Sequence, residues 1–299
     1  MTDNNIIEVT IEKVIYGGKG LARHNGKVVF IPGTLPSEKI QCRIVNTYKS
    51  YSEAVLIKNL LPSMSRRTPP CPYYEECGGC HLMHARYEEQ LNIKNSMASE
   101  FFDSFRCNRD TIVPSRSEFN YRNKITLHLH NGTCGYMKEK SNNIIEIDRC
   151  MLADNRLNEV LVGIKNKLPD TGRGKLILRH GNADEVQLYS DLSFSLDTYQ
   201  KNTLCSIYHG DSVTGNKYIK KDISGIPMYL SPEVFFQVNY SMLEKINKIF
   251  LEHACGNTLV DAYCGTGIFS FLLKDRFNRI IGIDINSNNI NYSFFVCLK

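Results

Sequence analysis

Three cysteines separated by short, glycine-containing segments lie in the first third of the chain. Their spacing is C-x5-C-x2-C, and they are Cys71, Cys77 and Cys80. Gly78 and Gly79 allow a tight turn, so that three thiolates can converge on one metal ion or cluster. Such sites usually have four ligands, and the fourth is not local. The downstream candidates for it are Cys107, Cys134 and Cys150. The spacing alone does not separate zinc from an iron–sulfur cluster.

A disulfide framework is the main alternative for these thiols. The N-terminal segment MTDNNIIEVT lacks the basic and apolar regions of a secretory signal. We therefore expect a cytoplasmic protein with reduced thiols, in which eleven cysteines favour metal binding or catalysis. No apolar run is long enough to span a bilayer, so we expect no membrane partner. The net charge of +5 permits a nucleic-acid partner without establishing one.

A second glycine-rich segment, DAYCGTGIFS, has the pattern of a nucleotide-binding turn. A strand ends at Asp261, Gly265 and Gly267 form the turn, and Asp284 closes the next strand. Glycines let a ligand approach the backbone, and an acid at this point can accept hydrogen bonds from ribose hydroxyls. A dinucleotide fingerprint has a third glycine where Ser270 stands. Together with the acid before the loop, this favours S-adenosylmethionine over NAD. An ordinary strand–helix turn is the alternative.

The hydrophobic pattern predicts a multidomain α/β protein. Short alternating strands over residues 6–60 indicate a small OB-like barrel, a fold that often binds single-stranded nucleic acid, although a purely structural β domain is equally compatible. Helices are predicted at 87–105, at 153–168 and near 241–254. Strands and hairpins dominate 120–230, including a hairpin with an Asn131-Gly132 turn. A strand–helix–strand unit follows, with its helix at 269–277. The expected division is a barrel at 1–62, a central α+β domain with the cysteine site at 63–231, and the start of a Rossmann-like domain at 232–299.

Six segments, in order, carry a resemblance to a known family. They are YGGKGLAR with GKVVFIPGTLPSE, CPYYEECGGCHLMH, FNYRNKI, IIEIDRC, SPEVFFQVN and DAYCGTGIFS. The chain resembles the RNA (uracil-5-)-methyltransferases that carry an N-terminal TRAM domain and a [4Fe–4S] cluster, the bacterial 23S rRNA and tRNA enzymes. The likeness covers residues 6 to about 285. Its CGGC and FFQVN segments are specific, whereas the TRAM and GxG segments alone are not.

The resemblance implies a set of sites. Cys150 becomes the fourth ligand of a [4Fe–4S] cluster with a structural or RNA-docking role, and Gln237, Tyr263 and Asp284 contact the methyl donor, S-adenosylmethionine. The implied reaction is methylation of uracil C5, in which a cysteine thiolate first adds to C6 and a base later removes the C5 proton. The implied substrate is RNA, with 23S rRNA favoured over tRNA.

The chain departs from this family near its end. The family's nucleophile and base lie beyond the second strand of the methyltransferase domain, which we expect to place them beyond residue 299. No catalytic residue is therefore assigned. Cys297 lacks the family's surrounding motif, and Cys264 is interpreted as a strand-end residue that borders the donor pocket rather than as a nucleophile. We expect a truncated domain, no methyl transfer by the 299-residue chain, and a first part of about 230 residues that still folds and holds the cluster.

A basic surface is expected to contact the RNA, and the protein is expected to be a monomer. The barrel and four cations form this predicted track: Arg66, Arg67, Arg122 and Lys124. Solvated surface charge is the alternative for each of them. Two further functions are compatible with the sequence: a non-catalytic RNA-binding iron–sulfur module, and a cluster-containing oxidoreductase with a nucleotide-binding fold.

Overall fold

The structure, a computed structural model, describes residues 5–107 and 110–286, without the side chains of residues 199, 200 and 202. The chain divides into two compact units, Met1–Pro114 and Ser115–Lys299. The expected boundaries after residues 62 and 231 fall inside these units, and the three-domain division stays a prediction. In the described part of the chain, no helix is both long and apolar enough to cross a membrane.

The first unit begins with a six-stranded β-barrel. Its strands are β1 (Ile6–Thr10), β2 (Lys13–Val14), β3 (Lys19–His24), β4 (Lys27–Pro32), β5 (Lys39–Thr47) and β6 (Tyr51–Leu61). They are hydrogen-bonded in the order β1-β5-β6-β4-β3-β2. β1 and β2 form one nearly continuous segment that pairs with β5 at its start and with β3 at its end, which closes the sheet on itself. The predicted small barrel is present.

The interior of the barrel follows the alternation of the sequence. In β1, Ile7 and Val9 face inward while Ile6 and Glu8 face outward. The inward residues pack with small and branched side chains of the other strands, among them Ala22, Ile31, Ile40 and Cys42. Because side chains alternate across a strand, a one-residue shift in pairing would turn these apolar side chains outward, so the pattern excludes such a shift.

A buried ion pair connects the segment after the barrel to the barrel itself. The carboxylate of Glu38, which is fully buried, accepts hydrogen bonds from Arg66 Nε at 2.5 Å and Arg66 Nη2 at 2.7 Å. It also accepts from the backbone amides of Leu35 and Ser63. The next helix, α1 (Tyr87–Asp103), packs Ile93 into a small core beside the barrel. These contacts explain why the first unit extends well past residue 62.

The second unit is built on a seven-stranded sheet. Its elements are β7 (Lys124–His130), β8 (Thr133–Met137), β9 (Ile144–Glu146), α2 (Asn155–Ile164), β10 (Arg173–His180), β11 (Val186–Ser190), α3 (Thr198–Thr203), β12 (Ser206–His209) and β13 (Ser212–Gly215). The strand order is β13-β12-β11-β10-β7-β8-β9, with β11 and β12 parallel. Asn131 and Gly132, both at positive φ, form the predicted β7–β8 turn. Helix α2 is capped by Asp154, whose side chain accepts from the amide of Arg156 at 2.8 Å.

The last described elements surround a second core. They are β14 (Ile219–Ile223), β15 (Ile226–Leu230), α4 (Tyr240–His253), β16 (Thr258–Ala262), α5 (Ile268–Leu272) and β17 (Arg279–Ile283). Strands β16 and β17 are parallel, as the strand–helix–strand prediction requires. Phe236, Leu243 and Ile268 join the β14–β15 hairpin, helix α4 and helix α5 into one hydrophobic cluster. The helix predicted over residues 269–277 is shorter, because α5 ends at Leu272 and a 3-10 turn follows over Lys274–Arg276.

Candidate functional site

The glycine loop, residues 263–267 between β16 and α5, lies at the carboxyl ends of β16 and β17. The amide of Cys264 donates to the carbonyl oxygen of Ile283 at 3.0 Å, so the loop continues the pairing of the two strands. Gly265 and Gly267 have φ of 55° and 77°, and Tyr263 also lies in the left-handed region. Glycine adopts this conformation at little cost, whereas the tyrosine adopts it against its preference. The side chain of Tyr263 is 90% exposed at the rim of the loop.

Asp284 fixes the conformation of this loop. Its Oδ2 accepts from the amide of Gly265 at 2.8 Å, and its Oδ1 accepts from the amide of Asn286 at 2.8 Å. The sequence predicts Asp284 as a ligand contact at the end of the second strand. The structure places it there and adds a role that the pattern does not contain, because the same carboxylate holds the glycine turn in place.

Asp261 and Ser270 are joined across the loop. The hydroxyl of Ser270 donates to Asp261 Oδ2 at 2.6 Å. Ser270 stands where a dinucleotide fingerprint has its third glycine, so its side chain ties the start of α5 to the end of β16. In the sequence, Ser270 is informative only as a missing glycine, and its bond to Asp261 has no sequence signal.

The segment that contains Gln237 runs beside the glycine loop. A Cβ atom built on Gly265 would lie 3.9 Å from Cδ1 of Phe235, whose side chain is 59% exposed. The carbonyl oxygen of Gln237 accepts from Asn123 Nδ2 at 2.9 Å. The structure thus brings the two segments predicted to contact the donor, FFQVN and DAYCGTG, next to each other.

Cys264 is the cysteine nearest to this loop, and its surroundings make it a poor nucleophile. Burial raises the pKa of its thiol, and the carboxylates of Asp261 and Asp284 raise it further. A Cβ atom on Gly282 would lie 3.1 Å from its sulfur, so the thiol packs against β17. These features agree with its interpretation as a strand-end residue. Cys297 and the other residues after 286 lie outside the described part of the chain.

The cysteine segment forms a compact turn in the first unit. The amide of Cys77 donates to the carbonyl of Tyr73 at 2.8 Å, and all three thiols, of Cys71, Cys77 and Cys80, are half-buried. A Cβ atom on Gly79 would lie 3.5 Å from the sulfur of Cys77, an ordinary van der Waals distance, so the backbone of Gly79 lies close to that sulfur. Among the described residues, no group of three or more Cys, His, Asp or Glu side chains converges in the geometry of a metal site.

The three candidates for a fourth ligand have different environments. Cys150, in the second unit, is half-buried, and its backbone amide and carbonyl are both hydrogen-bonded to the side chain of Asn158. Cys134 is buried in the sheet, where burial raises the pKa of its thiol to about 12. Cys107 is exposed at the end of the first unit. Cys134 is therefore a core thiol, and half-buried thiolate donors in glycine-containing turns suit the chemistry of an iron–sulfur ligand set.

A buried histidine packs against the cysteine segment, and the sequence pattern does not single it out. His84 Nδ1 lies 2.6 Å from the hydroxyl of Tyr74, and Nε2 lies 3.4 Å from the carbonyl oxygen of Thr34 in the barrel. Burial, with a contribution from Arg66, lowers the pKa of His84 to about 4, so the ring is neutral at pH 7. It links the turn to the barrel. Its position in CHLMH gave no signal that distinguishes such a role from metal binding.

The four cations of the predicted RNA track are partly engaged within the fold. Arg66 is paired with Glu38, and Arg67 Nε donates to the carbonyl of Met83 at 3.0 Å. Arg122 forms isolated backbone bridges, and its Nε is buried. Lys124 is half-buried, and burial, assisted by Arg179 and Lys175 and opposed by Glu233, lowers its pKa to about 7. Contact of these residues with RNA stays a prediction.

Comparison with known proteins agrees with this geometry. A TRAM domain model matches residues 2–57. The chain is 31% identical to a protein described as an uncharacterized RNA methyltransferase from Aquifex aeolicus, covering 95% of this chain and 73% of that protein. It is 28% identical to another so described from Protochlamydia amoebophila, covering 98% and 74%. The crystal structure of Pyrococcus abyssi tRNA (uracil-54, C5)-methyltransferase in complex with S-adenosyl-L-homocysteine shares the fold, with a TM-score of 0.73, 22% identity, and coverage of 96% of this chain and 75% of that one.

These findings confirm the family indicated by the sequence motifs. The TRAM barrel occupies the predicted N-terminal position, and the second unit has the methyltransferase-like α/β fold. The likeness to the relatives extends over nearly the whole chain rather than over the barrel alone. The chain therefore belongs to the TRAM-containing RNA methyltransferases.

Proposed function

We propose that this protein serves the S-adenosylmethionine-dependent methylation of C5 of a uridine in RNA, with 23S rRNA as the favoured substrate and tRNA as the second candidate. The observation that carries the proposal is the carboxylate of Asp284, which holds the Gly265 turn beside the Phe235–Gln237 segment. A glycine-containing turn at the carboxyl ends of parallel strands is where α/β folds bind nucleoside ligands.

The proposed donor site consists of six residues in the second unit. They are Gln237, Asp261, Tyr263, Gly265, Gly267 and Asp284. The glycines allow the donor to approach the backbone, and the exposed ring of Tyr263 offers a surface on which a purine can stack. A carboxylate has about four lone-pair sites, so Asp284 can accept hydrogen bonds from ribose hydroxyls as well as from the loop amides.

The chemistry at uracil requires more than donor binding. C5 of uracil becomes nucleophilic only after a thiolate adds to C6, and the C5 proton must then be removed by a base. The target base must leave its stack to reach such a site. We assign neither group to a described residue, because the raised pKa of Cys264 keeps it a thiol at neutral pH.

We also propose that Cys71, Cys77, Cys80 and Cys150 hold one [4Fe–4S] cluster with a structural or RNA-docking role. Support comes from the donor chemistry of four half-buried thiols and from the close approach of the Gly79 backbone to the sulfur of Cys77. Protein purified without oxygen should contain about four iron and four sulfide per chain. Replacing Cys80 with Ser should lower both, whereas Cys107→Ser should change neither. Zinc in stoichiometric amount without sulfide would refute the cluster.

Binding of S-adenosyl-L-homocysteine by titration calorimetry tests the donor site. Asp284→Asn replaces a charged acceptor of the Gly265 amide, and a hydrogen bond to a charged group contributes about 1.5–3 kcal/mol. The variant should therefore bind at least about tenfold more weakly. The matched control is Asp275→Asn, an exposed carboxylate just after α5, which should bind as the native chain does. Equal affinity of the two variants would argue against the assigned site.

The same titrations separate the alternative functions. A non-catalytic RNA-binding iron–sulfur module would bind RNA but would not bind S-adenosyl-L-homocysteine. An oxidoreductase would bind NAD or flavin instead of S-adenosyl-L-homocysteine. RNA binding itself should weaken with salt, with a slope that reflects several phosphate contacts. Competition between unmodified 23S rRNA and tRNA transcripts tests the favoured substrate. We further propose that the protein acts as a monomer in the cytoplasm, which sedimentation and fractionation test.

A further inference from the structure

A single buried asparagine attaches the Gln237 segment to the central sheet. Asn123, 3% exposed, donates from Nδ2 to the carbonyl oxygen of Gln237 at 2.9 Å. Its backbone amide donates to the carbonyl oxygen of Val238 at 2.9 Å, and its own carbonyl accepts from the amide of His180 at 2.8 Å. Asn123 therefore forms hydrogen bonds to two consecutive residues of the segment. It lies just before β7, at the end of the pairing between the adjacent strands β7 and β10.

A buried arginine attaches the other end of the same segment. Arg179, on β10 and 1% exposed, donates from Nη2 to the carbonyl oxygens of Val234 and, at 3.4 Å, of Pro232. Arg179 pairs in register with Lys124, the residue after Asn123. The two side chains thus hold the segment from neighbouring strands, one on each side of Phe235 and Phe236.

What lies between these two attachments faces the glycine loop. Val234 and Phe236 are buried, Phe236 within the cluster that includes Ile268 of α5, whereas Phe235 is exposed beside Gly265. Neither Asn123 nor Arg179 is part of the proposed donor site. Their hydrogen bonds set the position of the backbone that carries Phe235 and Gln237. Gln237 is part of the proposed donor site, and Phe235 borders that site.

We propose that Asn123 and Arg179 are positioning residues for the methyl donor: two buried side chains of the central sheet that hold Phe235–Gln237 in register with the glycine loop. The inference rests on the proposed function, because it assumes that the loop binds S-adenosylmethionine. It assigns to the FNYRNKI segment a role in donor affinity in addition to the RNA contacts predicted for its Arg122 and Lys124. Since Asn123 stands between those two residues, RNA bound to them and the donor would influence each other's affinity through it.

The decisive variant is Asn123→Asp, which changes shape little and replaces the amide donor with oxygen. At pH 8 the new carboxylate faces the carbonyl oxygen of Gln237, so affinity for S-adenosyl-L-homocysteine should fall about tenfold or more. Burial beside a carbonyl oxygen raises the pKa of a carboxyl group, so as the pH is lowered towards 5.5 the new group can bind a proton and donate to that oxygen. Affinity should then recover relative to the native chain at the same pH. A loss of general packing would not recover on acidification.

Asn247→Asp is the matched control. Asn247 is also buried, on α4, but its Nδ2 donates a hydrogen bond to the hydroxyl of Ser224 at 3.4 Å and not to the Phe235–Gln237 segment. The Asn247→Asp variant should lose about as much thermal stability as Asn123→Asp does. Its affinity for S-adenosyl-L-homocysteine should stay within about twofold of the native value at both pH 8 and pH 5.5. For Arg179, the Lys variant should retain more affinity than the Met variant, because a lysine can still donate to the carbonyls of Pro232 and Val234.

The outcomes separate this inference from the proposed function. If the native chain binds no S-adenosyl-L-homocysteine, the proposed donor site fails. If the native chain binds it and Asn123→Asp behaves like Asn247→Asp, the donor site stands and the positioning role is overturned. Loss of affinity in Asn123→Asp at pH 8 with recovery near pH 5.5 supports the inference.

Discussion

Glu38 in the barrel and Asp284 beside the glycine loop both hold a turn through backbone amides, but in different surroundings. Glu38 is fully buried, and its oxygens are shared among Arg66 and the amides of Leu35 and Ser63. Asp284 is half-buried at the open ends of two strands, where Val260 and Ile283 are more than half exposed. The barrel carboxylate completes a core, and the loop carboxylate shapes a surface. Similar chemistry therefore stabilises the fold in one region and, under the proposed function, shapes a ligand site in the other.

The largest effect that tests this difference is expected at Arg66. Arg66→Met would leave the Glu38 carboxylate buried without its cation, which typically costs about 3–5 kcal/mol. Urea unfolding, with hydrogen exchange of β5 peptides to localise the change, should show this loss in the first unit. The control is Arg23→Met, which removes an exposed arginine 3.6 Å from Glu12 in the same barrel and should change stability by less than about 1 kcal/mol. Similar losses in both variants would contradict the distinction.

The same ion pair predicts the acid response of the first unit. Burial raises the pKa of Glu38, but the hydrogen bonds from Arg66, Leu35 and Ser63 outweigh it, so the pKa lies below its ordinary value of 4.5. The stabilisation is then present above that value and is lost as the pH falls through the lowered folded-state pKa. The difference in unfolding free energy between the native chain and Glu38→Gln should shrink between pH 6 and pH 3. A constant difference would count against the lowered pKa.

A smaller effect is expected at Gly267. Gly267→Ala places a side chain at φ of 77°, which costs about 1–2 kcal/mol, and should weaken binding of S-adenosyl-L-homocysteine because the start of α5 shifts. Gly163→Ala, in the last turn of α2, is the opposite case, since nothing lies within 4 Å of an added Cβ. It should stabilise the protein by about 0.5–1 kcal/mol and leave binding unchanged. Equal behaviour of the two would mean that the loop conformation is not required.

The smallest expected effect is the pH response of the second unit. His180 Nδ1 lies 3.3 Å from Asp154 Oδ1, and this interaction, only partly opposed by burial, raises the pKa of His180 above 6.5. The stabilisation is full below the unfolded-state value and is lost as the pH rises through the raised folded-state pKa. Unfolding free energy should fall by up to about 1 kcal/mol between pH 6 and pH 8, and His180→Asn should flatten the profile. An unchanged slope in the variant would exclude this ion pair as the cause.

The sequence predicts local structure here better than it predicts the partners of polar side chains. Alternation in β1, the Asn131–Gly132 turn and the strand–glycine–helix order of the loop depend on neighbouring residues, and all are found in the structure. The bonds from Arg66 to Glu38 and from Asn123 to Gln237 join residues far apart in the chain, so only the topology determines them. The sequence therefore suggests Arg66 as an RNA contact, because the sequence shows its charge but does not show its ion pair with Glu38.

The closure of the barrel by the segment Ile6–Val14 has a consequence for folding. β1 pairs with β5, and β4 pairs in parallel with β6, so these pairings join segments that are distant in sequence. Such non-local pairings slow folding, because chain entropy is lost before the contacts form. During synthesis, β1 must wait for Lys39–Thr47 to emerge before its hydrogen bonds can form. We expect the barrel to complete late, in one cooperative step with the docking of Arg66, rather than strand by strand from the N-terminus.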